Sequence, residues 1–301
     1  MRWLAMVCTS ALVLMLAACG GGGSSAGDDA VVTGPVGGAG GGDGDAMDTA
    51  LRALIDREGL NGDAAFNRTL PQISDPLAVL GRQLFFSQSL GGEFDSACVS
   101  CHHPMLGGAD ALVLPVGVGA LSPELIGPGR RDEDGVPDVP RNSPTVFNVG
   151  LWDSGLFWDS RVESFGKEAF ANGSVSAIRT PDVPLGDADT EAGPNLPAAQ
   201  ARFPVTSMEE MRGEFLLGAD NATLRNHLAE RLGGYGSGVG VLDPNEWLAA
   251  FQTAFASSAA ADELITYDNI ALALAEYARS MVFVRNPFSA YVEGDLDALS
   301  T

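Results

Sequence analysis

An all-α, loop-rich chain is the fold class this sequence predicts, on three observations. Apolar residues recur at helical spacing through most of the chain, and no convincing run of alternating residues marks a strand. Long segments rich in Gly, Pro and Asp, over 107–143 and 172–203, separate the periodic stretches. Loops of that length in a compact domain are usually functional or wrapped around something. The organising element is therefore expected to be something other than a regular core.

The elements follow in chain order. Met1-Arg2 is a short positive start, Trp3 to Leu16 is almost uninterruptedly apolar, and Leu16-Ala17-Ala18-Cys19 follows. The apolar run is too short for a stable membrane span and fits a secretion signal over 1–18, with Cys8 inside the discarded peptide. The Leu-Ala-Ala-Cys ending resembles a bacterial lipobox, which makes Cys19 the lipidated first residue of the mature protein; ordinary cleavage is the other reading. Gly20 after Cys19 leans, by resemblance to sorted lipoproteins, towards the outer membrane, on its periplasmic side. Residues 20–44 hold 12 glycines and cannot bury enough apolar surface to fold, so 19–46 is expected to be a tether. Folded sequence is expected from Met47, where Leu51, Leu54 and Ile55 recur at helical spacing. Leu77, Leu80, Leu84 and Phe85 mark a helix, Leu224, Leu228 and Leu232 another, and Trp247 to Phe255 a third. Ile265 to Val284 is the longest periodic run, with Ile270, Leu272, Leu274, Tyr277 and Met281.

The totals exclude some functions. The chain has 301 residues, 17 Lys+Arg against 39 Asp+Glu, and a formal charge of −22. Phosphate contacts need a basic face, so nucleic acid is not an expected partner. The acidity suits a basic partner or simple solubility. The 4 cysteines are too few for a disulfide framework in a chain this size, so each needs its own explanation.

Two of them lie in Cys98-Val99-Ser100-Cys101-His102. Cysteines at this spacing can form thioethers to the two vinyl groups of one haem, and the histidine that follows can then ligate the iron. A zinc site would need two further ligands, and only His103 and His227 remain outside the motif. A thioredoxin-like pair would need a βαβ context, which is missing. Export agrees with c-haem attachment, which occurs outside the cytoplasm. Covalent haem c is expected, with Cys98 and Cys101 as attachment points and His102 as the iron ligand.

Several motifs in order carry a family resemblance. They are Leu80-Gly81-Arg82-Gln83-Leu84-Phe85-Phe86, the Cys-x-x-Cys-His run, Pro104 with Gly107-Gly108-Ala109-Asp110, Pro140-Arg141-Asn142-Ser143-Pro144-Thr145-Val146-Phe147-Asn148, Phe157-Trp158-Asp159-Ser160-Arg161, and Pro204-Val205-Thr206-Ser207-Met208-Glu209-Glu210-Met211. Together they resemble the first haem domain of bacterial di-haem cytochrome c peroxidases and their MauG-like relatives. The resemblance implies a cytochrome c-like haem domain that reduces hydrogen peroxide with electrons from a donor cytochrome or small redox protein. It places the acid–base glutamate on Glu210 and the tryptophan between two haems on Trp158. It puts Glu168 where the family usually carries a distal glutamine, and a calcium ligand on Asn142. Some members close the distal side with a histidine before the Pro-Arg-Asn motif; Pro104 to Val139 contains none, so a distal side that is vacant, water-bound or filled by a less usual ligand is expected. His103 and His227 read as structural or exposed residues.

The end of the chain departs from the family. Residues 47–264 are read as the haem domain, and 265–301 as a helix and linker towards a second haem domain. No second Cys-x-x-Cys-His is present. An uncapped helix with a charged tail and nothing to pack on makes a truncated member the expected case. The main reading is a lipid-anchored, exported c-type haem peroxidase domain. A mono-haem electron carrier is the alternative, with Met105, Met208 or Met211 as sixth ligand, and an incomplete, non-functional fragment is the third.

Overall fold

The computed structural model describes residues 42–243 and 245–299. The expected signal peptide, Cys19 and most of the expected tether lie outside the described residues. Two compact units meet between Leu51 and Arg52. The described part of the first is the opening of helix α1 (Gly42–Glu58), so helix begins within the stretch expected to be tether, ahead of Met47. No helix among the described residues is long and apolar enough to cross a membrane.

The second unit carries the remaining elements. Helix α2 (Pro76–Phe85) opens with Pro76, whose fixed φ and missing N–H suit a first turn. The one-turn helix α3 (Cys98–Cys101) follows. Then come three short antiparallel strands, β1 (Gly155–Leu156), β2 (Val162–Ser164) and β3 (Ile178–Arg179), in the order β1-β2-β3. Leu156 pairs with Val162, and Glu163 with Arg179. Strands of this length hold too few residues to show alternation, which is why the sequence gives no sign of them. Helices α4 (Leu196–Gln200), α5 (Asn221–Gly233), α6 (Trp247–Ala254), α7 (Ala261–Leu264), α8 (Tyr267–Ser280) and α9 (Pro287–Glu293) complete the chain. The fold is thus mostly helical, as expected, with one small sheet.

The main core is built where helical periodicity is strongest. Leu80, Leu84 and Phe85 of α2 meet Ile270, Leu274 and Tyr277 of α8, with the Phe85 and Tyr277 rings edge-to-face at 5.2 Å. The α2–α8 approach requires Gly81, since a Cβ there would lie 1.9 Å from the Ala273 carbonyl oxygen. Leu224, Leu228 and Leu232 of α5 and Phe251 of α6 close the cluster. Each such side chain contributes about 1.5–3 kcal/mol when fully buried. A smaller cluster joins Val162 and Ile178 of the sheet to Leu196, Ala199 and Phe203.

The boundary expected at 264/265 does not coincide with a break in packing, because Ile265, Tyr267, Ile270 and Met281 belong to the main core. Nor is the final region uncapped. Thr266 Oγ1 accepts the Asn269 amide at the start of α8, and Asn286 forms a reciprocal cap with Ser289 at the start of α9. Tyr291 of α9 is fully buried, with the Arg52 guanidinium 4.5 Å from its ring centroid.

Candidate active site

The site begins with α3. Ala97 enters it in extended conformation, and Ser100 Oγ accepts the Ala97 amide at 3.0 Å, so the serine between the cysteines caps the turn that carries them. Cys98 and Cys101 are both free thiols. Burial pushes each up to about 12; around Cys101 the carboxylates of Asp110 and Glu210 add to this, and Arg130 opposes it. A reactive redox pair needs the opposite, a depressed thiol pKa. Burial thus counts against a disulfide-exchange role for this pair.

His102 is held from one side. Its Nδ1 lies 3.2 Å from the Gly108 carbonyl and 3.1 Å from Ser143 Oγ, which itself donates to the Cys101 carbonyl at 2.6 Å. A proton on Nδ1 satisfies both acceptors and leaves Nε2 with its lone pair. Burial lowers the imidazole pKa, opposed by the Gly108 and Pro144 carbonyls. Metal-ligating histidines are oriented in this way, through a bond made by the other ring nitrogen. The residues present therefore fit a covalently attached haem: two unpaired thiols one turn apart, and an imidazole fixed by its Nδ1. Beside them, Asp110 is fully buried and its Oδ2 has no hydrogen-bond partner, an orphan that a polar ligand group would satisfy.

Glu210 arrives from a π turn over Met208–Arg212. Its amide donates to Ser207 Oγ at 3.3 Å, and wider π spacing turns Met211 and Arg212 inwards, leaving Glu210 half-buried and Glu209 exposed. Burial raises the Glu210 carboxyl pKa; the Arg161 charge opposes this and Glu209 adds to it. The Glu210 charge also acts on Cys101, so sequence-distant Glu210 and the Cys-x-x-Cys-His turn share one neighbourhood. Arg161 sits over the Phe157 ring at 3.9 Å.

The other expected residues are distributed less closely. Trp158 is 67% exposed, and its Nε1 donates to the Asn142 carbonyl at 3.3 Å. The Asn142 amide donates to the Leu112 carbonyl at 2.7 Å, pinning the long loop. No group of three or more His, Cys, Asp or Glu side chains that could hold a metal ion occurs among the described residues. Glu168 is exposed on the turn beyond β2, with nothing that joins it to Glu210. His103 Nδ1 accepts the Met105 amide, and His227 interacts with Glu230. Of the methionines, Met105 is 85% exposed, Met208 49%, and Met211 only 3% exposed within the main core.

Four residues here escaped prediction as participants: Gly108, Ser143, Arg130 and Arg161. Gly108, Ser143 and Arg161 stand inside family-like motifs, but their partners are set by chain folding over tens of residues. Arg130 sits in a glycine- and proline-rich loop with no pattern to mark it.

The helical fold and the thiol–imidazole turn define a c-type haem domain. Residues 75–297 match the family described as di-haem cytochrome c peroxidase, and the chain belongs to that family. It is 27% identical over 227 residues to cytochrome c551 peroxidase of Pseudomonas aeruginosa, covering 75% of this chain and 45% of that protein. It is 25% identical over 262 residues to methylamine utilization protein MauG of Methylorubrum extorquens, covering 87% of this chain and 54% of that protein. The crystal structure of a MauG-like protein associated with microbial copper homeostasis aligns with a TM-score of 0.44 and 18% identity, over 75% of this chain and 48% of that one. The chain spans about half the length of the curated relatives it matches.

Proposed function

We propose that this chain is a c-type haem peroxidase domain that reduces hydrogen peroxide, with Glu210 as its acid–base group. The observation that carries this reading is the half-buried Glu210, its pKa raised, acting on Cys101 of the haem-attachment turn. One haem per chain is held by Cys98, Cys101 and His102. When bound, that haem supplies a redox-active iron at which peroxide can be reduced. His102 presents Nε2 to it because Gly108 and Ser143 occupy Nδ1. In its carboxylate form Glu210 would take the proton from one peroxide oxygen and return it to the other as the O–O bond breaks, and two electrons from the donor with two protons from solvent would bring both oxygens to water. Arg161 offsets the carboxylate charge in this partly dry setting. Activity accordingly rises with pH as Glu210, its carboxyl pKa raised by burial, loses its proton.

The finer assignments belong to the same proposal. Electrons come from a donor cytochrome or small redox protein, with Trp158 as a stepping stone on their route to the haem. Asn142 offers one amide oxygen to a calcium site completed by other oxygens. The signal peptide and Cys19 make the protein a lipoprotein on the periplasmic side of the membrane, with the outer membrane favoured. Glu168 remains a second candidate acid; its exposed position makes it subordinate to Glu210.

The test uses the full chain matured in a host competent for haem attachment. Wild type is expected to retain haem through denaturing electrophoresis, and Cys98→Ala with Cys101→Ala to lose it. Peroxide should shift the Soret band, and Glu210→Gln should slow that shift about 10²–10⁴-fold. A haem-loaded protein that ignores peroxide, or a Glu210→Gln variant that matches wild type, would sink the reading.

A further inference from the structure

We infer that Arg130 is a positioning residue for Glu210, acting through the 116–125 segment, an inference that deepens the peroxidase reading and rests on it for its catalytic meaning. Arg130 is 1% exposed and among the largest fully buried side chains of the described residues. Its guanidinium spends all its N–H donors on main-chain carbonyls. Nε bonds Val116 at 2.8 Å, Nη1 bonds Pro123 at 2.9 Å and Leu125 at 3.2 Å, and Nη2 bonds Asp95 at 2.9 Å and Gly117 at 2.7 Å. A planar five-donor fork can satisfy such a set; lysine, with three donors on one atom, cannot.

The segment so tied lies directly against the glutamate. The Val118 amide donates to the Glu209 carbonyl at 3.2 Å. At Gly117, a Cβ would stand 2.1 Å from the Glu209 carbonyl oxygen and 2.5 Å from that of Glu210. The same segment approaches the haem turn, with Cys101 Sγ 4.0 Å from the Val116 carbonyl. One side chain therefore fixes a strap that touches Glu209–Glu210 on one side and the attachment cysteine on the other. Further pins are the Gly119 amide on Asp95 Oδ2 at 2.8 Å and Gln88 Nε2 on the Pro123 carbonyl at 3.2 Å. Neither reaches the Val116–Gly117 carbonyls that face the site. The strap packs on the glutamate's own backbone, beside a half-buried carboxyl whose charged neighbours are Arg161 and Glu209.

The experiment compares wild type with Arg130→Lys, Arg130→Gln and Gly117→Ala in the haem-loaded full chain. Amide hydrogen exchange at Val118 reports the strap contact independently of peroxide chemistry. It is expected to speed up about tenfold or more in all three variants, including Arg130→Lys, which keeps the charge but lacks the fork. The acid limb of the peroxide-reaction pH profile should move to lower pH as Glu210 becomes wetted, and the shift should be absent in a Glu210→Gln background. Wild-type Val118 protection in both Arg130 variants would overturn the inference, as would an unmoved acid limb despite lost protection. Should Arg130→Gln fail to accumulate, Arg130→Lys and Gly117→Ala decide the same two questions. A wild type that does not react with peroxide defeats the peroxidase reading, while the exchange result still decides whether Arg130 holds the strap.

Discussion

Around α2 and α8 the chain is held by apolar side chains, whereas the loops flanking the haem turn are held by guanidinium groups. Leu84 and Ile270 are fully buried and pack through non-directional contacts. Arg130, Arg212 and Arg231 are buried and bonded to loop main-chain carbonyls: Arg212 to Phe215, Leu216 and Ala219, and Arg231, from α5, to Ser89, Gly91 and Gly92. Arg231 also lies 4.3 Å from each of the Phe94 and Phe215 ring centroids. Arg202 and Arg225, both buried, instead pair with the partly buried carboxylate of Asp182. A loop has few apolar residues to bury and many carbonyls to satisfy, and one arginine can satisfy several at once. In an acidic chain five of the scarce arginines, Arg130, Arg202, Arg212, Arg225 and Arg231, are used internally, so composition alone misjudges their place.

The contrast can be broken most strongly in the apolar half. Ile270→Ala should cost about 2–5 kcal/mol, with a lower urea midpoint and an unchanged slope, and a loss that is the same across neutral and mildly acidic pH. A loss confined to one pH range would mean that α8 is not held by packing.

The polar half should respond differently to pH. Arg68 grips Asp153 with bonds of 2.8 and 2.7 Å, and Asp153 also accepts the amides of Phe170 and Asn172. Burial alone would raise its carboxyl pKa; Arg68 and these amides outweigh that and hold it below the usual range. A depressed carboxyl stabilises the fold above its unfolded pKa and loses that contribution as pH falls through the folded value. Asp153→Asn should therefore cost about 1–3 kcal/mol at neutral pH, with the gap to wild type closing in acid. A gap that persists unchanged in acid denaturation curves would count against the charged grip.

The smallest effect is expected where a charge has neither role. Arg57 and Glu58 pair at 2.7 Å on the exposed face of α1. Arg57→Ala should change stability by no more than about 0.5 kcal/mol, and salt should erase even that. A larger loss in thermal melts would show that surface pairs also contribute to holding the polar half.

What was legible in the sequence follows the same divide. Leu224, Leu228 and Leu232, and the run from Ile270 to Met281, announce their helices because burial on a helix face imposes a period. Cys98, Cys101 and His102 announce a haem because the chemistry fixes their spacing. Glu210 was legible only through resemblance, since nothing local separates it from Glu209; the π turn does that. Ser143 and Gly108 reach His102 only after the loop closes, and Arg130 finds its carbonyls only in the folded strap. The strands are too short for any period, and the expected end of the domain at 264 fell inside a helix-rich core because resemblance, not packing, had set it.

The π turn bears on which sequence changes the chain can absorb. Between Ser207 and Gly213 the Arg212 amide reaches back to Ser207 at 2.9 Å, and Gly213 to Met208 at 3.1 Å. One residue more is accommodated per turn than an α-helix holds. Deleting one residue ahead of the glutamate, Met208 or Glu209, would swing Glu210 about 100° around the axis, with composition hardly altered. Surface loops tolerate changes of length more readily than change of residue at key positions. This short stretch reverses that: its residue count is as constrained as its glutamate.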